Sequence, residues 1–339
     1  METGREQAEE LLRTLAGSRR TILTTHITPD GDGLGAALAI LRALRARGQR
    51  AEFINCSAAP QNLRFLWQRG EFHVFDPDLH GRLLMDADTI VATDLGGAKR
   101  LGRMEEVVRA SPARKLLIDH HRYKNDLFDQ ALIVEGASSS CEIVWDLLRS
   151  MGAAMTRELA EPLYVGIVND TGSFQYESTT PRVHRMVASL LETGVEPAKI
   201  FRELHCAQPL GKLQVLGNSL AALQLECAGR LAWSSTDRAT LRRLGIVPRD
   251  AFEVVNYLLR IRGVEVGLFF FPVDEMRTKV SLRSAGNIDV CTFAESHGGG
   301  GHRYAAGCTV EGLSLLDAQA HVLGAMRELL TTAGGELES

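Results

Sequence analysis

Four apolar segments of this 339-residue chain each run directly into Asp or His. Thr21–Thr25 leads into His26-Ile-Thr-Pro-Asp30-Gly-Asp32, and Thr89-Ile-Val-Ala-Thr93 leads into Asp94. Lys115-Leu-Leu-Ile118 leads into Asp119-His120-His121, and Tyr164-Val-Gly-Ile-Val168 into Asn169-Asp170. Parallel α/β sheets place their chemistry at the carboxyl ends of their strands. If the four segments lie side by side, their ends converge on a pocket of carboxylates and imidazoles.

The residues between these segments support that arrangement. Leu34, Leu38, Leu41 and Leu44 fall on helical spacing and predict a helix over Gly33–Arg47. Ala51–Asn55 reads as a further strand, and Arg103–Ala110, Ser139–Met151 and Arg157–Val168 read as helices. Tyr164–Val168 fits either the end of that last helix or a short strand. Strands alternating with helices indicate an α/β domain, a parallel sheet with helices on both faces. From Thr180 to about Arg230 the pattern is helical, through Val183–Leu191, Pro197–Leu204 and Leu210–Leu225. A smaller α/β region follows, with strands at Leu231–Ser234, Val264–Phe271 and Thr278–Arg283 and helices at Asp250–Ile261 and Ser314–Leu330. The polar stretch Asp274-Glu-Met-Arg277 suits a hairpin between the last two strands. The expected division is a domain over 1–185, a helical connector over 186–228 and a second domain over 229–335.

Composition narrows the partners. The net charge is −4, whereas proteins that hold long nucleic acid carry a basic excess to neutralise many phosphates. A small anionic substrate remains compatible with a local basic pocket. No apolar run approaches the ~20 residues of a membrane span, and the amino terminus has no signal-peptide core. Six cysteines without paired spacing fit reduced thiols of a cytoplasmic protein and argue against a disulfide framework or a thiolate zinc site.

Asp and His together suit a borderline-hard divalent ion such as Mn²⁺. Asp30 and Asp32, two apart, could each serve a different ion, and Gly31 and Gly33 allow the loop to turn sharply. Carboxylates crowded together without cations would need protons. A pair of ions bridged by one carboxylate removes that need and is a device for phosphate ester hydrolysis. Taken singly, an Asp at such a position is more often a helix N-cap, and a His a structural side chain. The joint occurrence of four clusters favours a site. In the second half, Gly298-Gly-Gly-Gly301 followed by His302 can expose successive amides to an anion, its bland alternative being a flexible turn. Arg283-Ser284 adds a forked cation and a hydroxyl suited to a terminal phosphate.

The segments His26–Asp32, Asp94, Asp119-His120-His121 and Asp170 resemble the four motifs of the DHH phosphoesterase superfamily. The second half resembles the DHH-associated C-terminal domain through Val280-Ser-Leu-Arg283-Ser284, Ile288-Asp-Val290 and Gly298–Gly307. Together they are similar to the bifunctional oligoribonuclease and 3′-phosphoadenosine-5′-phosphate phosphatase subfamily, the nano-RNases. That resemblance implies two Mn²⁺ ions. His26 and Asp30 would hold one, Asp32, His120 and Asp170 the other, and Asp94 would bridge them. Asp119 would orient a histidine, and His121 would lie beside the scissile phosphate. Arg283, Ser284, Gly300, Gly301 and His302 would bind substrate. Ala36 departs from the serine that many members carry there, at a position that begins a helix and ligates nothing.

The implied activity is hydrolysis of dinucleotides and nano-RNA to mononucleotides, with 3′-phosphoadenosine-5′-phosphate as a further substrate. Short substrates that touch both domains would explain the absence of basic excess, and the subfamily allows a homodimer. One rival is a phosphodiesterase for cyclic dinucleotides or their linear products. Another is a non-catalytic nucleotide sensor, which would have no need for all of His26, Asp30, Asp32, Asp94, His120, His121 and Asp170.

Overall fold

A computed structural model describes residues 2–122, 126–206, 209–247 and 254–335. It divides into two compact units, Met1–Ala207 and Gln208–Ser339. None of the described helices is long and apolar enough to cross a membrane.

The first unit contains strands β1 (Arg20–Thr25), β2 (Arg50–Asn55), β3 (Phe72–Val74), β4 (Thr89–Thr93), β5 (Arg114–Asp119) and β6 (Gln130–Ile133). Its helices are α1 (Glu2–Gly17), α2 (Gly31–Ala46), α3 (Pro77–Met85), α4 (Glu105–Ala110), α5 (Ser140–Ser150), α6 (Arg157–Asp170), α7 (Pro181–Leu191) and α8 (Pro197–Phe201). The strands pair in the order β3-β2-β1-β4-β5-β6, all parallel. The chain builds outward from β1 to β3, then crosses back to place β4 beside β1. The order reverses between β1 and β4, and open α/β sheets bind ligands at such a point.

Alternation along the strands creates two cores. Leu23, Phe53, Val91, Leu116 and Ile118 face α1, α2 and α5 to α7. Ile22, Ile54, Ile90, Ala92 and Leu117 face α3, α4 and the short 3-10 turn at Ala98–Met104. The period-2 switch is what a strand buried on both faces produces. The stretch Tyr164–Val168 is helical, within α6, so Asp170 arrives from a helix carboxyl end rather than a strand.

Two glycines set how closely the helices approach. A Cβ on Gly33 of α2 would lie 2.1 Å from Thr25 Oγ1, the hydroxyl that donates to Thr93 O at 2.8 Å. A Cβ on Gly166 of α6 would meet Cys141 Sγ at 2.2 Å and Asp32 Oδ1 at 2.8 Å. The helices therefore lie against the sheet and against each other at backbone distance, which holds Asp32 at the carboxyl end of the sheet.

The second unit holds α9 (Leu210–Ala221), β7 (Gln224–Glu226), β8 (Leu231–Ser235), α10 (Arg238–Arg243), α11 (Val254–Leu258), β9 (Val266–Pro272) and β10 (Arg277–Ser284). It continues through α12 (Val290–Glu295), β11 (Gly300–His302), β12 (Ala305–Glu311) and α13 (Leu315–Gly335). The strand order is β11-β12-β10-β9-β8-β7, antiparallel except for β8 with β9. Phe270 faces α12 and α13, while Phe269 and Phe271 face α9, α10 and α11. The predicted turn at Asp274 closes the β9–β10 hairpin, with Asp274 Oδ1 accepting from Met276 N–H at 3.1 Å. The start of the helix expected from Asp250 lies outside the described residues. In the stretch read as a connector, α7 and α8 contribute Val183, Met186, Leu190 and Ile200 to the first unit's core, whereas α9 contributes Val215 to the second unit's.

A Gly33→Ala protein should lose roughly 1–3 kcal/mol of stability through overpacking against Thr25. Gly217→Ala, on the exposed side of α9 with nothing within 4 Å of its Cβ, should gain up to about 1 kcal/mol. Urea denaturation of both variants measures this, and equal effects would contradict the close approach of α2 to β1.

Candidate metal centre

Three adjacent strands, β1, β4 and β5, deliver His26, Asp94 and Asp119-His120-His121. Asp30 caps α2, its Oδ1 accepting from the amides of Asp32 (3.0 Å) and Gly33 (3.1 Å), and its Oδ2 lies 3.6 Å from His26 Nε2. Oδ1 thus makes the N-cap contacts, and Oδ2 is the oxygen turned toward His26.

Asp32 is fully buried. Its Oδ2 accepts from Ser140 N–H (2.6 Å) and its Oδ1 from Cys141 N–H (2.9 Å), at the amino end of α5. That helix end favours a negative charge. Ser139 caps it by accepting from Glu142 N–H, and Glu142 in turn accepts from Ser138 N–H at 2.8 Å. These amides lie more than a hundred positions from Asp32 in sequence. The signal for them was the pair Ser139-x-x-Glu142, the spacing of a capping box.

Asp94 lies at the centre. Its Oδ2 is 3.5 Å from His26 Nε2, and its Oδ1 is 3.5 Å from His120 Nε2 and 3.3 Å from His121 Nδ1. Its backbone has φ of +52°, an uncommon conformation for a residue with a side chain. His120 Nε2 is also 3.1 Å from Asp170 Oδ2. Asp170 ends α6, where the helix dipole opposes a carboxylate. Asp119 faces the other way. Its Oδ2 accepts from Leu95 N–H (2.9 Å) and Gly96 N–H (2.7 Å), and its Oδ1 lies 2.8 Å from His121 Nδ1.

Donor atoms converge in three overlapping sets: His26, Asp30 and Asp94; Asp32, Asp94, His120 and Asp170; and Asp94, His120 and His121. Asp94 belongs to all of them. Nε2 of His26 and Nε2 of His120 are buried without a hydrogen-bond partner among the described residues, although both face carboxylates. Hard oxygens with imidazole nitrogens are the donor set of a divalent cation, so the residues fit one. An open depression of about 480 Å³, lined by Arg13, Thr14, Asp88, Arg114 and Gln130, lies at the opposite, amino ends of the strands.

Electrostatics follow from burial and crowding. Burial pulls His26 down, but Asp30 and Asp94 push it up to about 10 against the opposing charge of Arg100. His120 is pulled down by burial and pushed up to about 11 by Asp170 and Asp94. For His121, burial opposes Asp119 and Asp94, which push it up to about 9. Burial raises Asp94, yet the three imidazoles hold it well below the usual carboxylate range. Burial, then Asp170 and Asp94, raises Asp32 well above that range. In the protein alone, protons therefore supply the positive charge that this crowd of carboxylates requires.

In the second unit, Arg283 on β10 pairs in register with Ala305 on β12, which pairs with His302 on β11. Residues opposite one another share a face, so Arg283 and His302 stand in one row two strands apart, roughly 10 Å by strand spacing. Arg283 Nε donates to Asn256 Oδ1 at 2.9 Å. Ser284 is buried, its Oγ accepting from Gly286 N–H at 3.0 Å. Gly300 and Gly301, expected in a loop, form an edge strand with β12. A Cβ on Gly301 would lie 2.5 Å from Ala305 O, so the hairpin closes only with glycine there.

A switch-point site of carboxylates and imidazoles at strand ends has the donor set of a hydrolytic metal centre on an α/β sheet. Residues 20–167 match the model of the DHH family, N-terminal domain, and residues 238–332 match the DHHA1 domain. The chain belongs to the DHH phosphoesterase family, and its activity is that of a phosphodiesterase, a hydrolase of phosphoric ester bonds. Enzymes of this family are metal-dependent. The chain is 33% identical over 328 residues to the bifunctional oligoribonuclease and PAP phosphatase NrnA of Thermus thermophilus, covering 96% of this chain and 94% of that protein. It is 26% identical over 304 residues to the protein of the same name from Bacillus subtilis, covering 89% and 92%. The crystal structure of an exopolyphosphatase-related protein from Bacteroides fragilis superposes with a TM-score of 0.90 at 26% identity, over 96% of this chain and 98% of that one.

The raised imidazoles give a pH signature. In the metal-free protein, the ion pairs of His26 and His120 are fully formed below the ordinary histidine value of 6.5 and are lost as pH rises through about 10 and 11. A cation must displace those protons, so the rise in Tm on adding Mn²⁺ to chelator-stripped protein should grow between about pH 6 and about pH 9. Scanning calorimetry at fixed free Mn²⁺ measures it, and a rise that shrinks with pH would contradict the protonated site.

Proposed function

We propose that this chain is a manganese-dependent phosphodiesterase that cleaves dinucleotides and very short RNAs to mononucleotides, and 3′-phosphoadenosine-5′-phosphate to AMP and phosphate. The observation that carries the reading is Asp94, one buried carboxylate common to all three donor sets. The oligoribonuclease and PAP phosphatase names of the two relatives support the substrate class. The thiolate-free donor set supports manganese.

In this reading His26 and Asp30 would hold one cation, Asp32, His120 and Asp170 would hold the second, and Asp94 would serve both. When bound, the pair supplies Lewis acidity at the phosphoryl oxygens and lowers the pKa of water. The remaining work falls to side chains of the protein. Asp119 fixes His121 through Nδ1, as an orienting carboxylate does for a catalytic imidazole. His121, held in this way, gives a proton to the departing ester oxygen. Water adds to phosphorus and the phosphorus–oxygen ester bond breaks, so a diester gives one phosphate monoester and one hydroxyl, and the 3′-phosphate of 3′-phosphoadenosine-5′-phosphate gives inorganic phosphate and a hydroxyl. We assign recognition of the substrate's far phosphate to Arg283, Ser284, Gly300, Gly301 and His302, in the second domain of the division 1–185, 186–228 and 229–335.

A turnover panel of pApA, RNAs from two to about ten nucleotides, 3′-phosphoadenosine-5′-phosphate and a cyclic dinucleotide tests the substrate class. Highest kcat/KM on the shortest linear substrates is expected, and preference for the cyclic dinucleotide would contradict the proposal.

Asp94→Asn should nearly abolish turnover and reduce bound metal, exceeding the ~10²–10⁴-fold loss of a general acid. His120→Ala should lose metal, whereas His121→Ala should keep it and slow the chemistry. Elemental analysis of all three variants decides, and equal depletion in the two histidine variants would contradict their separate roles. Arg283→Ala and His302→Ala should lower kcat/KM on a dinucleotide by roughly ten- to a hundredfold, the worth of a charge-assisted phosphate contact, with little change on a small chromogenic diester. An equal loss on both substrates would show that these residues serve the fold instead.

A further inference from the structure

The turn after β4 carries a cation that the metal donor set does not use. Asp94, Gly96 and Gly97 all have positive φ, at +52°, +63° and +157°, so the chain reverses as soon as it leaves the sheet. Asp119 accepts from the amides of Leu95 and Gly96, which holds this turn against the end of β5. Ile27 N–H donates to Arg100 O at 2.7 Å, which ties it to the loop after β1. The turn is thereby fixed on both sides of the switch point.

Arg100 leaves that turn toward the histidine pair. A methyl group on Gly96 would lie 3.0 Å from Arg100 Nη1, and also 3.6 Å from Cγ and 3.7 Å from Cδ2 of His121. The guanidinium and the His121 ring therefore border the same small space, which the missing side chain of Gly96 leaves open. Arg100 is partly buried, and it forms no ion pair with a carboxylate among the described residues. Arg42, Arg109, Arg157, Arg182, Arg230 and Arg327 each face one. A guanidinium offers forked donors that match two oxygens of a phosphate, and one that borders this space without a paired carboxylate can take such a ligand.

We propose that Arg100 binds the phosphate undergoing cleavage, donating to its non-leaving oxygens on the side of the site where His121 stands. The inference rests on the phosphodiesterase activity and not on which nucleotides flank the phosphate. Charge on those oxygens grows as water adds, so a preplaced donor there stabilises the transition state more than the ground state. This separates Arg100 from Arg283 and His302, whose contacts depend on the rest of the substrate.

The test compares Arg100→Gln, Arg100→Lys and Arg100→Ala with wild type, all loaded with Mn²⁺, on a dinucleotide and on bis-p-nitrophenyl phosphate. Removing the guanidinium should lower kcat/KM by about 10²-fold on both substrates alike, as loss of one preorganised donor does. Bound metal and Tm should stay at wild-type values, since the backbone carbonyl that holds Ile27 is retained. Lysine should restore part of the rate, and added guanidinium chloride below denaturing concentrations should rescue Arg100→Ala. Wild-type rates in Arg100→Gln, a loss confined to the dinucleotide, or a loss matched by metal depletion would each overturn the proposal. A wild-type enzyme that cleaves the chromogenic diester but no dinucleotide would instead refute the nucleotide reading, and Arg100 would then be judged on the diester alone.

Discussion

One buried carboxylate organises this molecule. Asp94 stands within 3.5 Å of nitrogens from His26, His120 and His121, and so joins the ends of β1, β4 and β5. A carboxylate removed from water is costly unless it is paired. Here the imidazoles pair it, and their own remaining charge is balanced by Asp30, Asp119 and Asp170. Five carboxylates, Asp30, Asp32, Asp94, Asp119 and Asp170, crowd against three imidazoles, and burial together with Asp170 and Asp94 raises Asp32. Cations relieve that imbalance, which is the physical reason that a fold would keep such a cluster.

The scaffold explains how the cluster is held. The reversal of strand order between β1 and β4 opens the sheet's carboxyl end without an intervening helix. Into that opening α5 directs its amino end, and the amides of Ser140 and Cys141 grip Asp32. Gly166 lets α6 pass close enough for Asp170 to reach His120. Asp119 then divides its oxygens between the turn after β4 and the ring of His121. The carboxylates, the imidazoles and Arg100 thus gather at the carboxyl ends of β1, β4 and β5, with α2 and α6 bringing in Asp30, Asp32 and Asp170.

Much of this was legible because the chain changes character abruptly. At Thr25/His26, Thr93/Asp94 and Ile118/Asp119 a β-branched or aliphatic run meets a charge; the first two boundaries are strand ends, and β5 runs one residue further, through Asp119. The helix over Leu34 to Leu44 followed from spacing. The short edge strands β3 and β6 were not foreseen, because three or four residues carry too little periodicity to read. Tyr164–Val168 was ambiguous because a helix buried all round and a buried strand share composition. The grip on Asp32 spans 108 positions of sequence and depends on tertiary packing. The row linking Arg283 to His302 depends on the register of two hairpins, which glycine-rich strands specify weakly.

The account depends on two cations sharing Asp94. Electron paramagnetic resonance of the chelator-stripped protein titrated with Mn²⁺ tests that directly. Two ions should bind per chain, and the spectrum at saturation should show an exchange-coupled pair, as expected for ions roughly 3.5–4 Å apart. Saturation at one ion per chain, with the six-line signal of isolated Mn²⁺, would contradict it.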